Sequence, residues 1–176
     1  MPYMNDQPVS RKPRTPRFTD FVDRFPEVEL PVTLTAESHH TISKENQPLP
    51  EAFTQAFLHE LDPRTAGEYA ETIACFRLPN TEQDEYYALV YWVANLMDYK
   101  YVLATFSKTG ELLDRSDIGG TTVQGDRLEQ TAVTLEDDGF IYKVRGKAAL
   151  DSDALDKDGT EIENWELQST GAIVRL

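Results

Sequence analysis

Between residues 86 and 101 the chain reads Tyr-Tyr-Ala-Leu-Val-Tyr-Trp-Val-Ala-Asn-Leu-Met-Asp-Tyr-Lys-Tyr, which places five of its eight tyrosines and one of its two tryptophans in sixteen positions. These side chains join an apolar body to a polar tip, a chemistry that suits ligand pockets and protein interfaces. They are also good strand formers. In an extended strand Tyr87 and Tyr91 share one face, and Tyr86 and Trp92 share the other. Tyr86, Tyr87, Tyr91 and Trp92 are therefore the candidate ligand-binding residues. The competing reading is that they fill a core or coat a sheet face.

Acidic side chains offer a second chemistry. Asp151, Asp153, Asp156, Asp158, Glu161, Glu163 and Glu166 crowd the stretch 151–166, with Lys157 as the only base. Clustered carboxylates around a glycine suggest calcium, which takes several oxygen ligands. An EF-hand loop with Gly159 at its sixth position would need acids at Ala154 and Trp165, so that motif is excluded. A looser site drawing on Asp151, Asp153, Asp156 and Asp158 is the alternative to a solvated hairpin with acidic edges, which also discourages edge-to-edge association. His39, His40, His59 and Cys75 lack the paired short spacing of a zinc site. Cys75 lies in the apolar run Thr-Ile-Ala-Cys-Phe and reads as a small buried hydrophobe. The chain contains neither a Gly-x-Ser-x-Gly elbow nor a glycine-rich phosphate loop, and no cofactor is expected.

The elements that must position these groups follow from periodicity. Residues 1–17 hold four prolines and Arg11, Lys12, Arg14 and Arg17 against Asp6, the composition of a disordered basic arm. Residues 18–176 read as one β-rich domain. Phe18, Phe21, Val22 and Phe25 recur at helical spacing until Pro26 stops them. The alternating segment 28–35 contains Pro31 and reads as an edge strand. Leu49 to Leu61 is the clearest helix, with Pro50 at its start, a stripe of Phe53, Ala56, Phe57 and Leu61, and Asp62-Pro63 as its stop; a loop through Gly67 follows.

From Tyr69 the period becomes two. Strands are expected at 70–78, 86–94, 100–107, 111–118, 127–135, 140–147, 161–168 and 171–175, with hairpin turns at Gly110, Gly139 and Gly159. Short connections favour antiparallel neighbours. The expected fold is mainly β, α+β at the margin: a curved antiparallel meander of about seven to eight strands with one N-terminal helix packed on it. Strands 86–94 and 100–107 are apolar on both faces and must be covered on both. The helical segments are the cover for one face; the other must close on itself or meet a partner. Strands 111–118 and 161–168 are half polar and read as peripheral, and Gly119-Gly120 reads as a bend or bulge at a strand end.

The segment Phe-Val-Asp-Arg-Phe-Pro-Glu-Val-Glu-Leu-Pro-Val-Thr-Leu at 21–34, followed by a Tyr-Val-Leu-Ala-Thr-Phe strand at 101–106 and a Lys-Thr-Gly hairpin, resembles uncharacterised bacterial mainly-β proteins. That resemblance implies a bacterial origin and a β fold, and carries over no activity or site residue.

Charge narrows the function. Asp and Glu outnumber Lys and Arg by 31 to 17, a formal net charge of −14. Phosphate-backbone binding and anionic membrane surfaces both need the opposite sign, so neither nucleic acid nor membrane is an expected partner. The start has no apolar signal core and no stretch approaches a membrane span, so a cytoplasmic location is expected. The favoured function is a non-enzymatic protein-interaction module of a bacterial cell, with a basic protein as the partner that charge favours. The alternative is a small-molecule binding module with an aromatic-lined pocket in a curved sheet. An enzyme is the least favoured class.

Overall fold

Two adjacent strands buried on both sides organise the chain. In the computed structural model, which describes residues 14–80, 84–150 and 156–176 without the side chains of 156–158, Leu89 and Val90 are both 0 % exposed, as are Val102 and Leu103. Consecutive residues of a strand point to opposite faces, so the sheet has a core on each side here. The elements in chain order are α1 (Phe18–Val22), β1 (Val32–Leu34), α2 (Ser38–Glu45), α3 (Glu51–Phe57), a 3-10 helix (Pro63–Ala66), β2 (Glu71–Arg77), β3 (Tyr86–Ala94), β4 (Asp98–Ser107), β5 (Leu112–Gln124), β6 (Arg127–Leu135), β7 (Phe140–Ala149), β8 (Asp156–Leu167) and β9 (Ile173–Arg175).

Strands β2 to β9 follow one another as an antiparallel meander, and β1 pairs with β6 off that path. The expected mainly-β meander with helical cover is the fold observed. One core joins Phe21, Val22 and Phe25 with Leu49 and Leu58 against Ala74, Leu89, Tyr91, Val102 and Phe106. The helical segments thus cover β2–β4, as their apolar spacing requires. The other core joins Val90, Trp92, Tyr101 and Leu103 to Leu34, Val133, Leu135, Ile141 and Ile173. The second half of the sheet therefore curls over the first and supplies the missing cover itself. The β8–β9 turn is tied back across the sheet: Thr105 Oγ1 donates to the Gly171 carbonyl at 2.7 Å, and the Ile173 amide donates to Asp114 Oδ2 at 2.7 Å.

The curl depends on a break in β5. This strand follows β4 along its whole length, but it pairs with β6 only over Gly120–Gln124. Beyond that point β6 pairs with β1 instead, through Val32, Thr33 and Leu34. Register shifts opposite Tyr101 and Val102, so Ile118 is an extra residue that turns into the core at 0 % exposure. Gly119-Gly120 thus lies inside a strand, at a bulge, where its sequence placed it at a strand end. A bulge raises local twist and lets one strand change neighbours. The half-polar stretch 111–118 is in turn central to the fold, because its polar residues enter a buried network.

Other boundaries moved for local reasons. The helix expected over 49–61 is helical at Glu51–Phe57 and continues as turns to Asp62. Its buried residues are Thr54 and Leu58, while Ala56 is exposed, so the buried stripe is rotated from the one inferred. A helix not expected, α2, spans Ser38–Glu45; Thr35 Oγ1 accepts from the Glu37 amide at 3.3 Å and Ser38 Oγ from the Thr35 amide at 2.9 Å, which stabilises its entry. Residues 156–159, expected as a turn, belong to β8: Lys147 pairs with Asp156 and Arg145 with Glu161, leaving the residues between to bulge. The edge of β2 is protected, since Asn46 Nδ2 donates to the Ala74 and Cys75 carbonyls at 2.7 and 3.0 Å. Most of the basic arm lies outside the described residues. Among the described residues no helix is long and apolar enough to cross a membrane.

The bulge gives a direct test. A Cβ on Gly120 would sit 2.0 Å from the Tyr99 carbonyl oxygen, at a φ of +132°. The atoms it would meet, in Tyr99 and Lys100, belong to backbone and cannot swing aside. Gly120→Ala is expected to lower unfolding stability by at least about 2 kcal/mol. Gly125→Ala, at a φ of +62° with nothing within 4 Å, is expected to cost only about 1 kcal/mol. Urea titration of the two variants checks the contrast, and equal losses would refute the role given to the bulge.

Candidate functional site

Asp62 begins as a local capping residue. It precedes Pro63 at the first position of the 3-10 helix and accepts from the Arg64 amide at 3.3 Å. Yet it is 0 % exposed, and a buried carboxylate is tolerable only if donors surround it. Arg64 supplies two, Nε to Oδ1 at 2.8 Å and Nη2 to Oδ2 at 2.9 Å. The Tyr91 hydroxyl donates to Oδ2 at 2.7 Å, and Arg115 Nη1 lies 2.9 Å from the same oxygen. Burial alone would raise the Asp62 pKa; the Arg64 and Tyr91 hydrogen bonds outweigh it and hold the carboxyl at about 2. Burial, reinforced by the Asp62 charge, pushes the Tyr91 phenol well up.

Arg64 carries the network outward. Its Nη1 and Nη2 also bond Asp117 Oδ2 and Oδ1 at 2.9 and 2.8 Å, a two-pronged contact on β5. The Asp117 main-chain carbonyl accepts from Lys143 Nζ of β7 at 2.9 Å. That ammonium stands 4.0 Å from the centre of the Trp165 ring. Trp165 Nε1 donates to Glu163 at 3.0 Å, which, with the nearby cations, draws that carboxyl below its ordinary range. Glu163 also faces Arg145 at 3.6 Å and Arg175 at 3.5 Å.

Together these residues line an open groove of about 660 Å³, where Arg64, Arg115, Lys143, Arg145 and Arg175 meet Asp117 and Glu163. Asp62 behind it, with Glu129 and Glu161 beside Arg145, brings the local charges close to balance. In a chain of net charge −14, a balanced patch is a relatively positive one.

Two features show that the cations of this groove are incompletely matched. Arg145 approaches three carboxylates at 3.3–3.6 Å, and its buried Nε has no hydrogen-bond partner; charge-assisted bonds usually close to about 2.7–2.9 Å. Lys143 is 5 % exposed and rests on a carbonyl and an aromatic face. Burial pulls its pKa down to about 8, against the weaker attraction of Glu163 and Asp117.

The four aromatic candidates do not converge. Tyr91 is 1 % exposed and fills the helix-side core. Tyr87 shares its face, under Lys108 Nζ at 3.8 Å from the ring centre. Tyr86 and Trp92 take the opposite face, as alternation predicted, but at separate places. Tyr86 reaches the Gln168 carbonyl at 3.1 Å, while Trp92 stacks on His39 at 5.3 Å and Tyr99 at 6.0 Å. The His39 and His40 rings lie 3.9 Å apart on a helix. Cys75 is buried, as expected, and burial raises its pKa. Asp151 and Asp153 lie outside the described residues, as do the side chains of Asp156 and Asp158; among the described residues no group of three or more His, Cys, Asp or Glu could hold a metal ion.

The groove residues were missed because they are far apart in sequence. One local signal existed. In β7 three of the four large apolar residues, Phe140, Tyr142 and Val144, share one face, yet the face turned inward carries Ile141, Lys143 and Arg145. Tyr142 and Val144 are 40 % and 44 % exposed. The strand thus presents the face opposite to the one its pattern favours.

Asp62 yields the stability test. Its folded pKa lies below the unfolded value, so its contribution is complete above about pH 4 and is lost as pH falls towards 2. Asp62→Asn is expected to lower stability by about 3 kcal/mol at pH 7, since it strips a buried charge pair of one partner. The gap between variant and native chain should narrow between pH 4 and 2 in urea titrations, and a constant gap would contradict the assignment. Neither a family model, nor a curated protein, nor a solved structure matches this chain.

Proposed function

We propose that the protein is a binding module whose β5–β7–β8–β9 groove takes a small anionic ligand, one bearing a carboxylate or phosphate. The observation that carries this reading is Lys143. A buried ammonium costs more than a packed apolar side chain of the same length, and among the described residues no carboxylate stands close enough to Lys143 to offset that cost. An arriving anion would offset it. The same anion would shorten the long contacts of Arg145 and Arg175, whose planar donors suit carboxylates and phosphates. Trp165 supplies an apolar wall for the rest of the ligand.

Calorimetry and thermal melting with phosphate, citrate and pyruvate test this reading. A tenfold excess over Kd is expected to raise Tm by roughly 4 °C. Lys143→Met should abolish the shift without lowering stability, because it removes a desolvated charge and keeps the packing on Trp165. A destabilised Met variant together with flat titrations would reject the reading and leave Lys143 as a structural residue.

A second reading, a protein-interaction surface, is favoured by the outer face of β7–β8. Val144 pairs with Ile162 across the strands, and among the described residues Tyr142, Val144 and Ile162 are 40 %, 44 % and 71 % exposed with no helix over them. A protein that co-purifies with the native chain and with Lys143→Met, but is lost with Ile162→Asp, would support this surface. Retention by all three would oppose it.

A further inference from the structure

Lys143 differs from an ordinary anion-binding lysine in how it is held. It is the only buried lysine among the described residues. Nζ makes one hydrogen bond, to the Asp117 carbonyl, and sits over the Trp165 ring. Among the described residues no carboxylate closes on it to lock the ammonium in place; Glu163 instead bonds Trp165 Nε1 and faces Arg145 and Arg175. A desolvated lysine with cationic neighbours is the arrangement that yields a neutral, nucleophilic amine near neutral pH. Here those neighbours also line the groove and carry donors suited to a carboxylate.

We propose that Lys143 captures an α-keto acid covalently, its amine forming an imine with the keto carbon while Arg145 and Arg175 hold the carboxylate. This rests on the anion-binding reading of the groove. The neutral amine adds its lone pair to the carbonyl carbon, and the first proton the nitrogen sheds turns the carbonyl oxygen into a hydroxyl. The carbon–oxygen bond then breaks, the hydroxyl leaving as water with the second proton shed by the nitrogen, and the nitrogen–carbon double bond forms. One water is released per imine, and no oxidant or reductant is consumed. Asp117 and Trp165 act as positioning residues, fixing Nζ against the groove wall.

Reductive trapping decides the matter. The full chain is incubated at pH 7 with pyruvate, or with acetaldehyde as a carbonyl lacking the carboxylate, in the presence of cyanoborohydride, and the labelled lysines are mapped by mass spectrometry. Pyruvate is expected to label Lys143 at least about tenfold more than any other lysine, because far more of its amine is neutral at that pH. Acetaldehyde should show a weaker preference, Lys143→Arg should remove the adduct, and Arg145→Gln should reduce pyruvate labelling to the acetaldehyde level. Pyruvate labelling spread evenly over the lysines would overturn the proposal, as would equal Lys143 labelling by both reagents. Phosphate binding is measured in parallel by calorimetry. If it persists without an adduct, imine formation is rejected and the anion groove stands; if both are absent, both are rejected.

Discussion

The requirement that β3 and β4 be covered on both faces shapes the whole molecule. Leu89 and Val90, or Val102 and Leu103, cannot both be buried by a sheet with a single core. On one side the aromatic residues of α1 and the segment after α3 supply the cover. On the other, only the chain's own later strands are available, so the meander has to bend back over its beginning. The bulge at Ile118 and the glycines after it allow that bend, and β1 takes the place beside β6 that β5 gives up. A flat meander of the same strands would leave Val90, Trp92 and Leu103 in water.

The bend also creates the groove. Where β5 parts from β6, its first half turns towards β7–β9, and the polar residues of that half meet those of the returning strands. Asp62 links this region to the helical layer, because Tyr91 from the helix-side core and Arg64 and Arg115 from the groove converge on one carboxylate. The carboxylate is fully buried and multiply bonded, so Arg64 and Arg115 are fixed at one end of the groove, while Arg145 and Arg175, the proposed ligand-holding pair, are placed by Glu163. Fold and groove are therefore coupled: the network that aligns Arg64 and Arg115 also joins the two layers.

Much of the fold was legible because strand alternation is local. The run Tyr86–Ala94 and the segment Arg127–Leu135 fall where period-two patterning puts them. The hidden parts depend on partners distant in sequence. Helix α2 offers one apolar anchor, Ile42, and no buried residue, so periodicity cannot reveal it. Asp62 reads as a helix stop because the Asp-Pro pair explains itself locally; its burial is decided by Tyr91 and Arg115, 29 and 53 residues further on. The aromatic cluster misled for the opposite reason. Tyr91 and Trp92 are adjacent, so strand geometry sends them to different cores, and density in sequence does not become proximity around one ligand.

Strand β7 shows why Lys143 stands out from the other cations of the chain. A sequence that specifies its fold well has local pattern and global environment in agreement, and exceptions concentrate where function imposes a cost. Phe140, Tyr142 and Val144 would make a better inner face than Ile141, Lys143 and Arg145. A slip of one residue in register would bury them. The register is nevertheless fixed by Ile141, which packs in the inner core, and by the pairing of Val133 with Lys143 and of Lys143 with Glu163. The inverted face thus leaves a phenylalanine, a tyrosine and a valine partly in water while burying an ammonium and drawing in a half-buried guanidinium. Packing alone gives no return for that exchange. A ligand that needs an amine and a guanidinium side by side would, and this is the physical ground on which we propose Lys143 and Arg145 as binding residues.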